Sequence, residues 1–232
     1  MAYVLKIREE HKGISHVKNE KLIGKIIELL PFELTRDQKG SIDEIFRDME
    51  SDLPMRRLLQ GDVGSGKTIV AMLALAKSVE SGFQGAMMMP TEILARQHLE
   101  TFEKFLTPVG IRVGFLSGHL TKKRKEKIYE EISNHEVDIV IGTHALIQEG
   151  VRFAKLGLVI TDEQHRFGVS QRARLEKLSS IDLIPDMLSM TATPIPRTLT
   201  LTVYGDLDVS SIHELPPGPR QRDDLGAEQA GL

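Results

Sequence analysis

Apolar side chains follow two rhythms along this chain. Leu22, Ile23, Ile26, Ile27, Leu29 and Leu30 recur at helical spacing and predict a helix from about Lys18 to Leu30, closed by Pro31. Thr35 suits the N-cap of a second helix running to about Met49, with Gln38 at the third position of a capping box. Ile42, Ile45, Phe46 and Met49 give that helix one stripe to bury. From Met55 onward, short apolar runs at 57–60, 86–89, 112–116, 138–142, 156–161 and 187–190 alternate with helical stretches near 67–81, 92–106, 121–133, 143–148, 170–178 and 196–204. Such alternation predicts an α/β domain with a mostly parallel sheet and helices on both faces. Chemistry in a fold of this kind gathers at the carboxyl ends of the strands. From Leu215 the sequence turns rich in Pro, Gly and charge, which predicts an unpacked tail over 215–232.

Composition narrows the chemistry. A chain of 232 residues buries a core without staples, and the absence of Cys excludes a disulfide framework, a thiolate nucleophile and sulfur-ligated metal sites. With 30 basic and 33 acidic side chains the formal charge is −3, so any contact with nucleic acid must be local rather than the product of a global basic field. The longest apolar run, Ile69 to Ala76, is far shorter than the roughly 18 residues of a membrane span. The opening residues carry no apolar signal segment, and a cytoplasmic location is expected. There is no H-E-x-x-H and no G-x-S-x-G, so zinc-protease and serine-hydrolase chemistry find no footing.

Gly61-Asp62-Val63-Gly64-Ser65-Gly66-Lys67-Thr68 matches G-x-x-x-x-G-K-[ST], with a predicted strand before it and an apolar helix after it. A chance match in a chain this long is of order 1%, before that context is counted. Glycines at 61, 64 and 66 let the backbone turn tightly and aim its N–H groups at a polyanion, and the helix N-terminus adds about half a positive charge there. Lys67 would reach the β- and γ-phosphates of a nucleoside triphosphate, and the Thr68 hydroxyl would ligate Mg²⁺. Farther on, Leu158-Val159-Ile160-Thr161 is an apolar strand that ends in Asp162 and Glu163. A strand-end Asp162 opposite the loop can hold Mg²⁺ through water, while Glu163 polarises the attacking water. Adjacent carboxylates on a strand point to opposite sides, so a turn after Thr161 belongs to that expectation.

With these motifs in place, the chain resembles the superfamily 2, DEAD/DEAH-box-like helicases, and more narrowly the RecG type. The resemblance rests on Pro31-Phe32-Glu33-Leu34-Thr35-Arg36-Asp37-Gln38, the loop from Arg56 to Thr68, Pro90-Thr91-Glu92-Ile93-Leu94-Ala95-Arg96-Gln97-His98, Asp162-Glu163-Gln164-His165 and Ser189-Met190-Thr191-Ala192-Thr193-Pro194. It covers about residues 20 to 218. Gln164 and Ser65 separate the chain from the related transcription-repair coupling factors. The resemblance implies a RecA-like P-loop NTPase domain over 31–214 with ATP and Mg²⁺ as cofactors. It also implies catalytic roles for Lys67, Asp162, Glu163 and His165, and adenine recognition by Phe32 and Gln38. Thr191 and Thr193 would couple the nucleotide to DNA. For Gln38 the capping role is an alternative compatible with base recognition; for His165 and the two threonines the alternative is simple satisfaction of loop groups.

The resemblance further implies branched or forked DNA as partner, gripped through its backbone by Thr91, Arg96, Gln97, Gly118, Thr143 and His144. Hydroxyls, a guanidinium and helix N-terminal N–H groups bind phosphates without reading sequence. Aromatics make up 5% of the chain and Trp is absent, so tracking of the backbone is favoured over base stacking. The basic run Lys122 to Lys127 is expected to be a solvated helix face, diluted by Glu126, Glu130 and Glu131. Residues 1–30 would be a connecting helix from an N-terminal wedge domain. A second RecA-like domain carrying the arginine finger would begin near Gly218, so hydrolysis by this polypeptide alone should be weak. The alternatives are a catalytically dead nucleotide- or DNA-binding module, the motor domain of a translocase like the transcription-repair coupling factors, and a P-loop kinase or transporter ATPase; Thr191, Thr193 and the Gln38 segment argue against the last.

Overall fold

The computed structural model describes residues 12–162, 178, 180, 181, 183–193 and 207–214. The predicted helix at 170–178, apart from Leu178, which stands in a turn, the predicted helix at 196–204, the tail from Leu215, and Glu163 and His165 lie outside the described residues. Helix α1 spans Lys21–Leu29 and α2 spans Arg36–Met49. Strand β1, Arg56–Gly61, leads through the glycine-rich loop into α3, Lys67–Glu80. There follow β2, Gln84–Met88, α4, Glu92–Leu106, β3, Val113–Leu116, α5, Lys122–Ser133, and β4, Ile139–Gly142. The last strands are β5, Leu156–Asp162, β6, Asp186–Thr191, and β7, Asp208–Ile212.

These strands form one sheet in the order β3-β4-β2-β5-β6-β1-β7, and every pairing is parallel. All seven carboxyl ends therefore lie along one rim. The two-residue period of a strand divides the core in two. Met87, Ile139, Ile141, Leu158 and Ile160 pack on one face against α1 to α4, while Ala86, Met88, Val140 and Val159 pack on the other against Ile128 and Ile132 of α5. Helix α3 is buried without a break from Ile69 to Ser78, as befits a helix that is apolar nearly all round. The expected stripe on α2 is buried at Ile42, Ile45, Phe46 and Met49.

Two expectations need correction. The predicted helix over 143–148 is a single 3₁₀ turn, His144–Ile147. Only three side chains there, Ala145, Leu146 and Ile147, have a core to bury in, and Val151 and Phe153 soon take over. The sequence pattern also missed β7. Its residues, Asp-Val-Ser-Ser-Ile, lack an apolar run, and side-chain hydrogen bonds help to hold the strand. Arg57 donates to the Ser210 hydroxyl at 2.9 Å and Gln60 donates to that of Ser211 at 2.8 Å.

The polar lead-in is anchored at the opposite, amino rim. Gly13 bridges to Ile184, and the His16 N–H donates to the Met49 carbonyl at 2.8 Å. The His16 ring lies 3.2 Å from the Asp186 carboxylate with both side chains fully buried. Burial pushes the Asp186 carboxyl up to about 6, against the opposing pull of His16.

Candidate nucleotide site and nucleic-acid face

The loop between β1 and α3 begins where Gly61 meets the sheet and ends at Gly66, the N-cap of α3, in the left-handed region at φ +87°. A side chain at 66 would have its Cβ 2.1 Å from the Gln38 amide nitrogen, and one at 61 would meet Ser65 Oγ at 2.6 Å and the Ile212 carbonyl at 2.8 Å. The loop is thus closed upon by its neighbours, and glycine is the residue that fits.

Gln38 explains how. Thr35 and Gln38 complete the capping box, with the Gln38 N–H on Thr35 Oγ1 at 3.2 Å and the Thr35 N–H on Gln38 Oε1 at 2.9 Å. The same carboxamide donates through Nε2 to the Ser65 carbonyl at 2.9 Å, and Gln38 is fully buried. The first turn of α2 therefore holds the phosphate loop from behind. Phe32, half-buried, packs against the same core just upstream.

Lys67 stands at the head of α3, and its ammonium donates to the Gly61 carbonyl at 2.6 Å and the Asp62 carbonyl at 3.0 Å. Partial burial pulls its pKa below the usual lysine range, and the charges of Asp162 and Asp62 push the other way. Asp162 is the last residue of β5 and pairs with Met190, while Gln60 of β1 pairs with Thr191. One strand, β6, thus separates the loop from Asp162, a gap of about 10 Å at ordinary interstrand spacing. Lys67 and Asp162, distant in sequence, lie on one side of one rim. Thr68 follows Lys67 at the rim, half-buried, and Val63 is exposed on the loop. Thr191 is buried, and its hydroxyl accepts the Thr193 N–H at 3.1 Å. Thr161 donates to Ser189 at 3.2 Å beneath it.

The donor set fits a phosphate chain. Glycines at 64 and 66 with positive φ turn the loop, a lysine closes it, and a helix of 14 residues points its N-terminus at it. Among the described residues no three carboxylate or imidazole groups cluster as a metal cage. Thr68 and Asp162 offer one hydroxyl and one carboxylate at this rim, the kind of sparse oxygen set that suits a Mg²⁺ ion carried with phosphates.

The other half of the rim carries the expected DNA contacts, at the ends of β2, β4 and β3. Thr91 N-caps α4, its hydroxyl accepting the Leu94 N–H at 3.3 Å. Arg96, one turn on, is committed: it donates twice to Glu92, at 3.0 and 2.7 Å, and its guanidinium lies 4.6 Å from the centre of the Phe115 ring. Arg96 and then Ser117 hold the Glu92 carboxyl below its usual range. Gln97 is exposed, and Gly118, also exposed, offers its carbonyl to Lys125 at 2.8 Å. The Thr143 N–H donates to the Leu116 carbonyl at 3.2 Å, and His144 is exposed beside it. Glu92 is the partner that reasoning from motifs overlooked; its i,i+4 spacing from Arg96 was the available signal. In α5, Lys122 and Lys127 face Glu126 and Glu131 at 3.8 and 3.4 Å on an exposed surface.

Residues 35–202 match the model of the DEAD/DEAH box helicases. The chain belongs to that family. Among curated relatives it is 51% identical to the ATP-dependent DNA helicase RecG of Aquifex aeolicus over 223 residues, covering 95% of this chain and 28% of that protein. It is 53% identical to the RecG of Thermotoga maritima over 222 residues, 94% of this chain and again 28% of the relative. Among solved structures, RecG bound to a three-way DNA junction superposes with a TM-score of 0.82 at 49% identity, over 94% of this chain and 29% of that one. The yeast DEAD-box splicing factor Prp28, at 16% identity and a TM-score of 0.63 over 88% of this chain, shares the fold. The chain thus spans under a third of the length of these RecG relatives, and membership of a DEAD/DEAH family implies use of ATP. No helix among the described residues is long and apolar enough to cross a membrane.

Proposed function

We propose that this chain is the ATP-binding motor domain of a RecG-type DNA helicase that remodels branched or forked DNA, as one part of a longer machine. The observation that supports it best is the single rim: Lys67 and Asp162 at one half, and the loops bearing Thr91, Gly118 and Thr143 at the other, all at the carboxyl ends of one parallel sheet. A rigid sheet between the two lets the nucleotide and the DNA bias one another.

In this mechanism the loop N–H groups and Lys67 bind the β- and γ-phosphates of ATP. Thr68 and Asp162 would hold Mg²⁺, which when bound would supply neutralising charge to the phosphate oxygens. Glu163 polarises the attacking water, and His165, Thr191 and Thr193 relay the state of the site toward the DNA half. Phe32, half-buried just upstream, is placed to serve the adenine, while the buried Gln38 carboxamide, bonded to Thr35 and Ser65, acts by holding the loop in shape. A second RecA-like domain would supply an arginine to the transferring phosphoryl group, a contribution worth about 10³ to 10⁵ in rate in related NTPases.

The test is calorimetric binding of a non-hydrolysable ATP analogue with Mg²⁺ to this polypeptide, with and without a three-way DNA junction. Saturable binding tightened by the junction is expected. Absence of nucleotide binding would end the motor assignment, and indifference to DNA would leave a nucleotide-binding module only.

A further inference from the structure

Beside the Gln38 capping box lies a second set of bonds with no part in phosphate or base recognition. The Asp37 carboxylate accepts two consecutive backbone N–H groups through Oδ2, from His213 at 2.8 Å and Glu214 at 3.1 Å. The Glu214 carboxylate in turn accepts the N–H of Asp37 at 3.3 Å, capping a first-turn donor of α2. These bonds hold the Asp37 carboxyl below its usual range, the His213 bond foremost. Residues 213 and 214 follow directly on β7, whose Ile212 carbonyl stands against Gly61 at the start of the phosphate loop. A polar cleft of about 620 Å³ opens alongside, lined in part by Asp37, Gln60, Ser211 and His213.

The first turn of α2 therefore has two attachments on adjacent residues. Gln38 grips the phosphate loop through the Ser65 carbonyl, and Asp37 grips the chain where it leaves the sheet. One helical turn cannot shift for the first without pulling on the second. We infer that Asp37 is a positioning residue that ties the state of the phosphate loop to the direction in which the chain leaves β7. The inference rests on the nucleotide-binding reading above and adds to it the route by which binding reaches the segment after residue 214.

The test follows backbone amide resonances of the whole polypeptide while adenylyl imidodiphosphate and Mg²⁺ are added, in the unaltered chain, in Asp37→Ala and in Asp37→Asn. In the unaltered chain the amides of Gly64 and Gly66 shift on binding, and those of His213 and Glu214 shift with them. In Asp37→Ala the loop amides still respond, the response at 213 and 214 is lost, and affinity falls about fivefold, the lower end of ordinary coupling between sites. Asp37→Asn keeps an acceptor oxygen and restores most of the response. A purely structural role would lower the melting temperature of the alanine variant while leaving the 213–214 response in place, and that result overturns the inference. So does silence at 213 and 214 in the unaltered chain while the loop responds. Silence of the loop itself would sink the nucleotide reading, and this inference with it.

Discussion

The two halves of the carboxyl rim are built to different standards. On the nucleotide half, β1 and the buried helix α3 support a loop whose shape is fixed by left-handed glycines and by Gln38, itself wholly buried. On the half proposed to meet nucleic acid, three separate strand ends contribute short stretches, and the one arginine among the candidate contacts is paired with Glu92. A compact polyanion calls for a preformed concave cradle of backbone donors. An extended backbone is met by shallow contacts spread over several loops, each weak by itself.

That contrast can be attacked from the strongest effect down. Lys67→Ala should weaken binding of an ATP analogue by about 10- to 100-fold, the range for losing hydrogen bonds to a charged group, while circular dichroism stays unchanged. Affinity within twofold of the parent would remove Lys67 from the site. Gly66→Ala comes next. It combines a left-handed strain of about 1–2 kcal/mol with a clash that pushes Gln38 off Ser65, so the melting temperature and nucleotide affinity should both fall, the latter about tenfold.

On the other half, Glu92→Gln should release Arg96 and strengthen binding to a DNA duplex. The plot of log affinity against log salt should steepen by about one phosphate contact. An unchanged slope would mean that Arg96 does not face DNA. The smallest effect is expected from Lys122→Ala with Lys123→Ala on α5. Affinity for DNA, measured by anisotropy, should change by less than about twofold, because Lys122 is 92% exposed and lies opposite Glu126. A larger drop would extend the nucleic-acid face onto α5.

Legibility in the sequence follows the same division. The phosphate loop, the capping box of α2 and six of the seven described strands announce themselves locally, because glycine punctuation, a Thr-x-x-Gln spacing and apolar runs each reflect a neighbourhood of a few residues. β6 was visible as Met187 to Met190, although its buried first residue, Asp186, is acidic and hid where the strand begins. β7 was invisible, since Ser210 and Ser211 are held by partners more than 150 residues away in sequence. The commitment of Arg96 was half legible: its spacing from Glu92 could be read, but its stacking on Phe115 depends on how α4 lies over β3. The bonds of Asp37 to His213 and Glu214 could not be read at all, since they depend on where β7 ends.

The position of β6 has a further consequence. Because one intact strand stands between β1 and β5, the distance from the phosphate loop to the acidic strand end is metered by backbone pairing and is indifferent to which side chains fill the core. Exchange of one aliphatic residue for another in the interior alters how firmly the domain holds together but leaves that ruler untouched. Only a change in register, or in the length of the reaching side chain itself, can bring the two poles of the site closer or drive them apart.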